Sequence, residues 1–252
     1  MPSALVVLDR LGWQHCFELL AFVLLLATIP VLLYREPVAA TATTSARHRP
    51  ARVVLWKFVR QPGMAGWLVL MMLYKVGDSF GSAMGKPLLV DLGWDLDVIG
   101  WVGGGVGMGA GIAGAIIGGY LVQVIGRVRA LVWFGVLQAL SLCGYAWQAL
   151  VKPDIAGIVL VNGLEHFVGG MATAALFTLM MDACRHEQAG SDYAVQASLQ
   201  VVVVGIGHAV SGFSAQYLGY TAHFLLAMLM GLAALLLVRP WLRQVPEQQL
   251  RA

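Results

Sequence analysis

Long apolar segments, each about the length that a helix needs to cross a bilayer, recur along this chain and restrict it to a membrane-embedded fold. Its charged and proline-rich breaks leave about seven such segments, at 13–34, 63–84, 98–126, 130–151, 155–181, 194–217 and 220–238. A bilayer core needs roughly 20 apolar residues per helix. The spacing therefore predicts an all-α integral membrane protein with about seven transmembrane helices.

Composition supports this class. Of the 252 residues, 59% are hydrophobic and only 12% are charged. A soluble domain normally has about a quarter of its residues charged and too little interior to bury this much apolar surface. The cysteines, Cys16, Cys143 and Cys184, show neither disulfide nor metal spacing. We therefore expect no bound metal and no cofactor.

Positive charge is distributed unevenly among the connections. All but four of the 16 lysines and arginines fall on one side of the predicted spans, the exceptions being Arg10, Lys75, Lys86 and Lys152. Loops rich in lysine and arginine stay in the cytoplasm. The C-terminus is therefore predicted to be cytoplasmic.

The same breaks divide the chain into four parts. They are a periplasmic N-terminus with one transmembrane helix (1–34), a basic cytoplasmic linker (35–62), a six-helix transmembrane bundle (63–238) and a cytoplasmic tail (239–252). The linker is polar and basic, which favours a solvated connector near anionic lipid headgroups. Nothing beside it resembles a nucleic-acid recognition fold, so we expect lipid and no nucleic acid as its partner.

Glycine is concentrated in the segment 101–121. Two series recur at four-residue spacing, which are Gly103, Gly107 and Gly111, and Gly114 and Gly118. Such spacing lets another helix approach backbone to backbone. The segment also contains G-x-G-x-x-G, but a dinucleotide site needs a preceding strand and a polar turn. We therefore interpret these glycines as a helix-packing surface.

Charged residues interrupt the apolar segment 63–84. Lys75 and Asp78 are three residues apart, so they share a helix face and can pair. A charge at the bilayer centre costs at least about 2.5 kcal/mol on insertion scales, and such residues usually face the bundle interior. Two interpretations stay open: a structural ion pair, or a pair on the substrate path that exchanges a proton or binds an anionic group.

Further polar residues lie in the later spans. Asn162 and Glu165 share a helix face, from which His166 turns away by about 100°. An unpaired carboxylate there suits a proton carrier, and the alternative is a protonated glutamic acid bonded to a neighbouring helix. Gln196 and Gln200, four residues apart, predict a polar cavity lining. We expect His166 and His208 to be core histidines rather than ligands.

Three charged residues surround the connection after the fifth span. Asp182 and Arg185 are predicted to pair at a helix end. Asp192, two residues after Gly190, is predicted to cap the following helix.

A first family resemblance lies in "GGYLVQVIGRVRAL", residues 118–131. It is similar to the cytoplasmic loop G-x-x-x-D-R-x-G-R-R of major facilitator transporters. The matching positions are Gly118 or Gly119, Gly126, Arg127 and Arg129. Gln123 stands where that pattern has its acidic residue, so the resemblance implies no charge relay in this loop.

A second resemblance covers most of the chain. "LYKVGDSF", "KPLLVDLGW", "IGWVGGGVGM" and 118–141 resemble the second half of AmpG-type muropeptide permeases, whereas 162–200 resembles siderophore permeases of the RhtX/FptX type. This resemblance implies helices six to twelve of a bacterial inner-membrane importer. It also implies proton-coupled alternating access, with a siderophore as the first candidate substrate and a muropeptide as the second.

One half of such a transporter cannot enclose the central cavity alone. Three arrangements stay open: another chain supplies the missing half, two copies pair, or the chain is a truncated product without transport.

A competing interpretation starts from G-x-S-x-G at 77–81. It would make Ser79 the nucleophile of an intramembrane hydrolase, with His166 or His208 as its base. That motif requires a strand-turn-helix, whereas this segment continues an apolar helix. We therefore expect a transporter and not an enzyme.

Overall fold

The computed structural model describes residues 14, 15, 17–19, 21–30 and 56–244, and every regular element in these ranges is helical. The all-α class is therefore confirmed. The predicted linker lies outside the described residues up to position 55, as does the end of the predicted tail from 245. An apolar helix at Phe17–Pro30 falls within the predicted first span.

Eight α-helices lie between residues 64 and 242. They are α1 (Met64–Ser82), α2 (Gly85–Asp91), α3 (Leu96–Gly100), α4 (Met108–Ile125), α5 (Arg127–Leu150), α6 (Ile155–Asp182), α7 (Ala189–Leu235) and α8 (Val238–Leu242). A π-helical stretch, Trp101–Gly107, joins α3 to α4, and a 3₁₀ turn, His186–Gln188, precedes α7.

Four of the described helical stretches are long and apolar enough to cross a membrane. They are Leu96–Ile125, Arg127–Leu150, Ile155–Asp182 and His186–Leu242. The last has 57 residues, but Gly219 interrupts it with φ 77° and ψ 161°. Glycine populates positive φ without a side-chain clash, so α7 consists of two helices joined at this residue.

A second glycine sets the boundary between α4 and α5. Gly126 has φ 88° and is the single residue between the two helices. Helix α5 therefore begins at Arg127, three residues before the predicted span at 130–151. Arg127 and Arg129 of the predicted loop motif lie in its first turn.

The bundle packs in two layers around α5. Helix α1 packs along α7, α4 packs along α6, and α5 contacts both α6 and α7. One apolar core contains Trp67, Phe134 and Leu176. Another contains Phe80 and Phe224. Many large apolar side chains on the outer faces stay exposed, as expected where lipid rather than water surrounds the helices.

Glycines make the contact between α4 and α6 close. A β-carbon on Gly114 would overlap the carbonyl oxygen of Phe167, and one on Gly118 would lie 2.6 Å from Cα of Met171. Both positions therefore require glycine at this helix crossing.

The other glycines of the two series have different neighbours. A β-carbon on Gly107 would lie 2.8 Å from the ring of His166. Gly103 and Gly111 have more room, since the nearest atom to a β-carbon there would be 3.5 Å and 3.6 Å away, respectively.

Candidate functional site

A cleft of about 850 Å³ opens between α1, the π-helical stretch, α4 and α6. This volume lies within the range of small-molecule binding sites, roughly 300–1,000 Å³. Four of the six predicted pathway residues line it, which are Lys75, Asp78, Asn162 and Glu165. The structure therefore brings the polar residues of two sequence-distant helices onto one surface.

Lys75 and Asp78 form an ion pair on the cleft wall. Nζ of Lys75 lies 2.8 Å from Oδ2 of Asp78, and the two side chains are only 15% and 16% exposed. The same Nζ donates to Oγ1 of Thr173 on α6 at 3.2 Å. The lysine thus neutralises the carboxylate within its own helix and bonds to a second helix. An ammonium has three donors, so these two contacts leave one N–H for a ligand.

Glu165 is paired, in contrast to the unpaired carboxylate expected from the sequence. Nδ1 of His166 lies 2.7 Å from its Oε2, and the Tyr145 hydroxyl lies 3.4 Å from the same oxygen. Tyr145 also donates to Oδ1 of Asn162 at 3.1 Å. A small polar network therefore links α5 and α6 at the cleft.

Gln196 and Gln200 lie on α7 and outside this cleft. Oε1 of Gln196 accepts a 2.7 Å hydrogen bond from Nε1 of Trp67, and its Nε2 donates to the Met180 carbonyl. Nε2 of Gln200 donates to the Met71 carbonyl at 2.7 Å. These amides hold α7 against α1 and the end of α6, so the structure does not place them with the other four pathway residues.

Several cleft residues were missed in the sequence. They are Lys86, Gln138, Tyr145 and Thr173. His166 and His208, which were expected in the core, also line the cleft, and His208 is exposed. A signal existed for some of them: Gln138 and Tyr145 are seven residues apart on α5, and Thr173 is eight residues after Glu165. Both spacings correspond to two helical turns, so these polar residues share a face.

The hydrolase interpretation finds no support in this geometry. Ser79 lies inside α1, is 3% exposed, and donates through Oγ to the carbonyl of Lys75 at 2.7 Å. His166 and His208 line the cleft, but Ser79 does not. The serine is a buried helix residue without the exposed turn that a nucleophile of this motif needs.

The charged residues near the α4–α5 turn pair differently from the sequence prediction. Asp182 binds Nε of Arg127 at 3.0 Å through Oδ2, whereas Arg185 binds Asp192 at 2.6 Å. This hydrogen bond to Asp192 raises the pKa of the Arg185 guanidinium. The predicted pair of Asp182 with Arg185 is wrong because the α4–α5 turn brings Arg127 to the end of α6.

The chain matches the Major Facilitator Superfamily over residues 76–252. It is 28% identical over 239 residues to the anhydromuropeptide permease of Escherichia coli (strain K12), a match that covers 93% of this chain and 48% of that protein.

Two Rickettsia proteins are also similar. The putative transporter AmpG 4 of Rickettsia conorii is 21% identical, with 90% of this chain and 56% of the relative covered. The putative transporter AmpG 3 of Rickettsia prowazekii is 25% identical, with 85% and 53% covered. The chain spans about half the length of the curated relatives it matches. These relatives give no support to a siderophore as the first candidate substrate.

Proposed function

This chain belongs to the Major Facilitator Superfamily, and we propose that it forms half of an importer that moves muropeptides across the bacterial inner membrane. The observation that carries the proposal is the polar cleft, because its lining combines an ion pair and a glutamate–histidine pair in otherwise apolar helices. Intramembrane ionisable groups usually mark substrate or ion pathways. Similarity to the anhydromuropeptide permease supports the choice of substrate.

The proposed mechanism is alternating access. A muropeptide, which is a cell-wall sugar that carries a short peptide, enters the cleft near the bilayer midplane. The bundle then rocks against a second set of helices, so the cleft opens first to one side of the membrane and then to the other. The arginine-rich α4–α5 turn and the C-terminal tail lie on the cytoplasmic side in this proposal.

A second set of helices is needed because one wall of the cleft is open. Met108 and Ile112 line the cleft, yet they are 50% and 56% exposed. The match to the anhydromuropeptide permease covers only 48% of that protein, so the relative has a further half that this chain does not match. In the proposal, another polypeptide or a second copy of the chain covers this wall.

Two residues are proposed to couple transport to protons. Glu165 is 5% exposed and shares a hydrogen bond with His166, so this pair can take up a proton within the cleft. Among the described charged side chains, only Lys75 lies within 4 Å of the Asp78 carboxylate. An anionic substrate group that binds Lys75 would therefore compete with Asp78 for the ammonium, which links substrate binding to this carboxylate in the proposal.

The test is uptake into inner-membrane vesicles that contain the full chain and any polypeptide that co-purifies with it. Labelled anhydromuropeptide should accumulate, and a protonophore should abolish accumulation. Asp78→Asn and Glu165→Gln should each reduce uptake by about tenfold or more, since each removes a charge-assisted contact in the cleft. Asp97→Asn is the matched control, because Asp97 is an exposed carboxylate on α3 outside the cleft.

Different failures have different meanings. Uptake of iron-loaded siderophore without uptake of muropeptide would contradict the assignment of a muropeptide as the substrate. Uptake of neither would favour a fragment without transport. If muropeptide uptake is unchanged in both cleft variants, Asp78 and Glu165 have no part in the mechanism, and the proposed substrate is unaffected.

A further inference from the structure

The charges that line the cleft are not balanced. Lys75 is paired with Asp78 at 2.8 Å, and Glu165 is paired with His166 at 2.7 Å. Lys86 is the remaining cationic side chain among the described residues of the lining. No carboxylate of the described residues lies within 4 Å of its Nζ.

The position of Lys86 makes this charge available to a ligand. It lies in the first turn of α2, and its side chain is exposed. Cε lies 3.5 Å from where a β-carbon on Gly103 would be, so the aliphatic stem runs beside a glycine of the π-helical stretch. Long basic side chains commonly lay their stems along apolar surface and keep the charged end in water.

The nearest carboxylate in the sequence of α2 is already engaged. Oδ2 of Asp91 accepts a 2.6 Å hydrogen bond from the hydroxyl of Tyr220. No ion pair joins Asp91 to Lys86, which lies five residues earlier on the same short helix.

We infer that Lys86 binds a carboxylate of the substrate and makes the cleft selective for anionic ligands. This inference rests on the proposed function, because the carboxylate is that of the peptide portion of a muropeptide. An unpaired ammonium in a cleft between apolar helices attracts anions more strongly than the same charge on an open surface. The carboxylate and the ammonium would form a charge-assisted hydrogen bond, which is stronger than a neutral one.

Lys75 is a poorer candidate for this role. Its ammonium already contacts Asp78 and Thr173, so a ligand there has to compete with a carboxylate in the same helix. Lys86 needs no such exchange and lies on the part of the cleft between the end of α1 and the π-helical stretch. Lys86 thus selects the ligand by its charge. Lys75 and Asp78, which are less exposed, exchange partners only if the ligand reaches them.

The experiment combines a change in the protein with a change in the ligand. The full chain, with any co-purifying polypeptide, is reconstituted in lipid nanodiscs. Its affinity is measured for an anhydromuropeptide with free peptide carboxylates and for the same compound with those carboxylates converted to amides. The unmodified chain should bind the carboxylate form about 10-fold or more tightly than the amide form.

The Lys86→Gln variant should bind both forms with the affinity that the unmodified chain has for the amide form. The Lys86→Arg variant should keep the preference for the carboxylate form. Lys152→Gln is the matched control, because Lys152 is an exposed lysine outside the cleft, and it should behave as the unmodified chain. A preference that persists in Lys86→Gln, or its absence in the unmodified chain, would overturn the inference and leave the muropeptide substrate intact. Failure of the unmodified chain to bind either form would overturn the proposed substrate and this inference with it.

Discussion

Nδ1 of His166 lies 2.7 Å from Oε2 of Glu165, although the two residues are neighbours on α6 and their side chains leave the helix about 100° apart. The same nitrogen lies 3.0 Å from the backbone carbonyl of Asn162. A carbonyl oxygen can only accept a hydrogen bond. Nδ1 therefore carries the hydrogen, which it shares between the carboxylate and the carbonyl.

This arrangement predicts the protonation state of one ring nitrogen. In the chain labelled with ¹⁵N-histidine, the Nδ1 resonance of His166 should be that of a protonated nitrogen at neutral pH. The resonance is assigned by its loss in His166→Asn, and the exposed His208 serves as the internal comparison. A His166 Nδ1 without a bound hydrogen would contradict the geometry and would favour a protonated Glu165 as the donor.

The ion pair of Lys75 and Asp78 should behave as a coupled unit in stability measurements. Lys75→Met and Asp78→Asn should each lower the free energy of unfolding in detergent micelles by about 1–3 kcal/mol, because each leaves a largely buried polar group without its partner. The double variant should lose less than the sum of the two, by about 0.5 kcal/mol or more.

Lys152→Met is the control for the loss of a lysine, and its exposed position limits the expected change to within about 0.5 kcal/mol. Strictly additive losses for Lys75→Met and Asp78→Asn would show that the pair contributes no mutual stabilisation.

Gln196 and Gln200 should affect stability and not ligand affinity. Gln196→Leu leaves the indole N–H of Trp67, which is 2% exposed, without the 2.7 Å acceptor. The free energy of unfolding should fall by about 1–3 kcal/mol. Gln200→Leu should cost less, because the Met71 carbonyl that it releases lies in α1 and also serves the helix.

Muropeptide affinity should change by less than about twofold in both glutamine variants when it is measured at a temperature where they stay folded. Asn162→Leu provides the comparison, since Asn162 is a buried amide that does line the cleft. Loss of affinity in Gln196→Leu or Gln200→Leu without loss of stability would return these residues to the substrate path.

The glycine contact between α4 and α6 should show a position-dependent response to alanine. Gly114→Ala and Gly118→Ala place a methyl group against the backbone of α6, so we expect each to destabilise the chain by about 1–3 kcal/mol. Gly119→Ala is the matched control, because a β-carbon there meets nothing within 4 Å. It should be neutral or stabilising by up to about 1 kcal/mol, since alanine is the better helix former. Equal effects at all three positions in thermal unfolding would contradict close backbone packing.

Much of the candidate site was visible in the sequence, and the reason is local. Asn162 and Glu165 lie three residues apart, as do Lys75 and Asp78, and helical periodicity alone places each pair on one face. That two faces from segments about 90 residues apart meet in one cleft depends on how α1, α4 and α6 pack. No periodicity within one helix contains this information.

The same limit applies to polar residues whose contacts the sequence did not predict. The four-residue spacing of Gln196 and Gln200 predicts a polar helix face. The same spacing is found when that face lines a cavity and when it bonds to Trp67 and Met71, as it does here. Arg127 and Asp182 are 55 residues apart, so only the one-residue turn at Gly126 reveals that they pair.

The sequence by itself determined that lipid surrounds this protein and that its secondary structure is helical. Repeated apolar runs long enough to span a bilayer are stable in lipid, and lipid requires the backbone to satisfy its hydrogen bonds within each helix. Only the tertiary structure decided which polar side chains face the cleft and which bond to a neighbouring helix. The reason is that a buried polar group needs a partner, and the packing of glycine-rich helices determines which partner lies within reach.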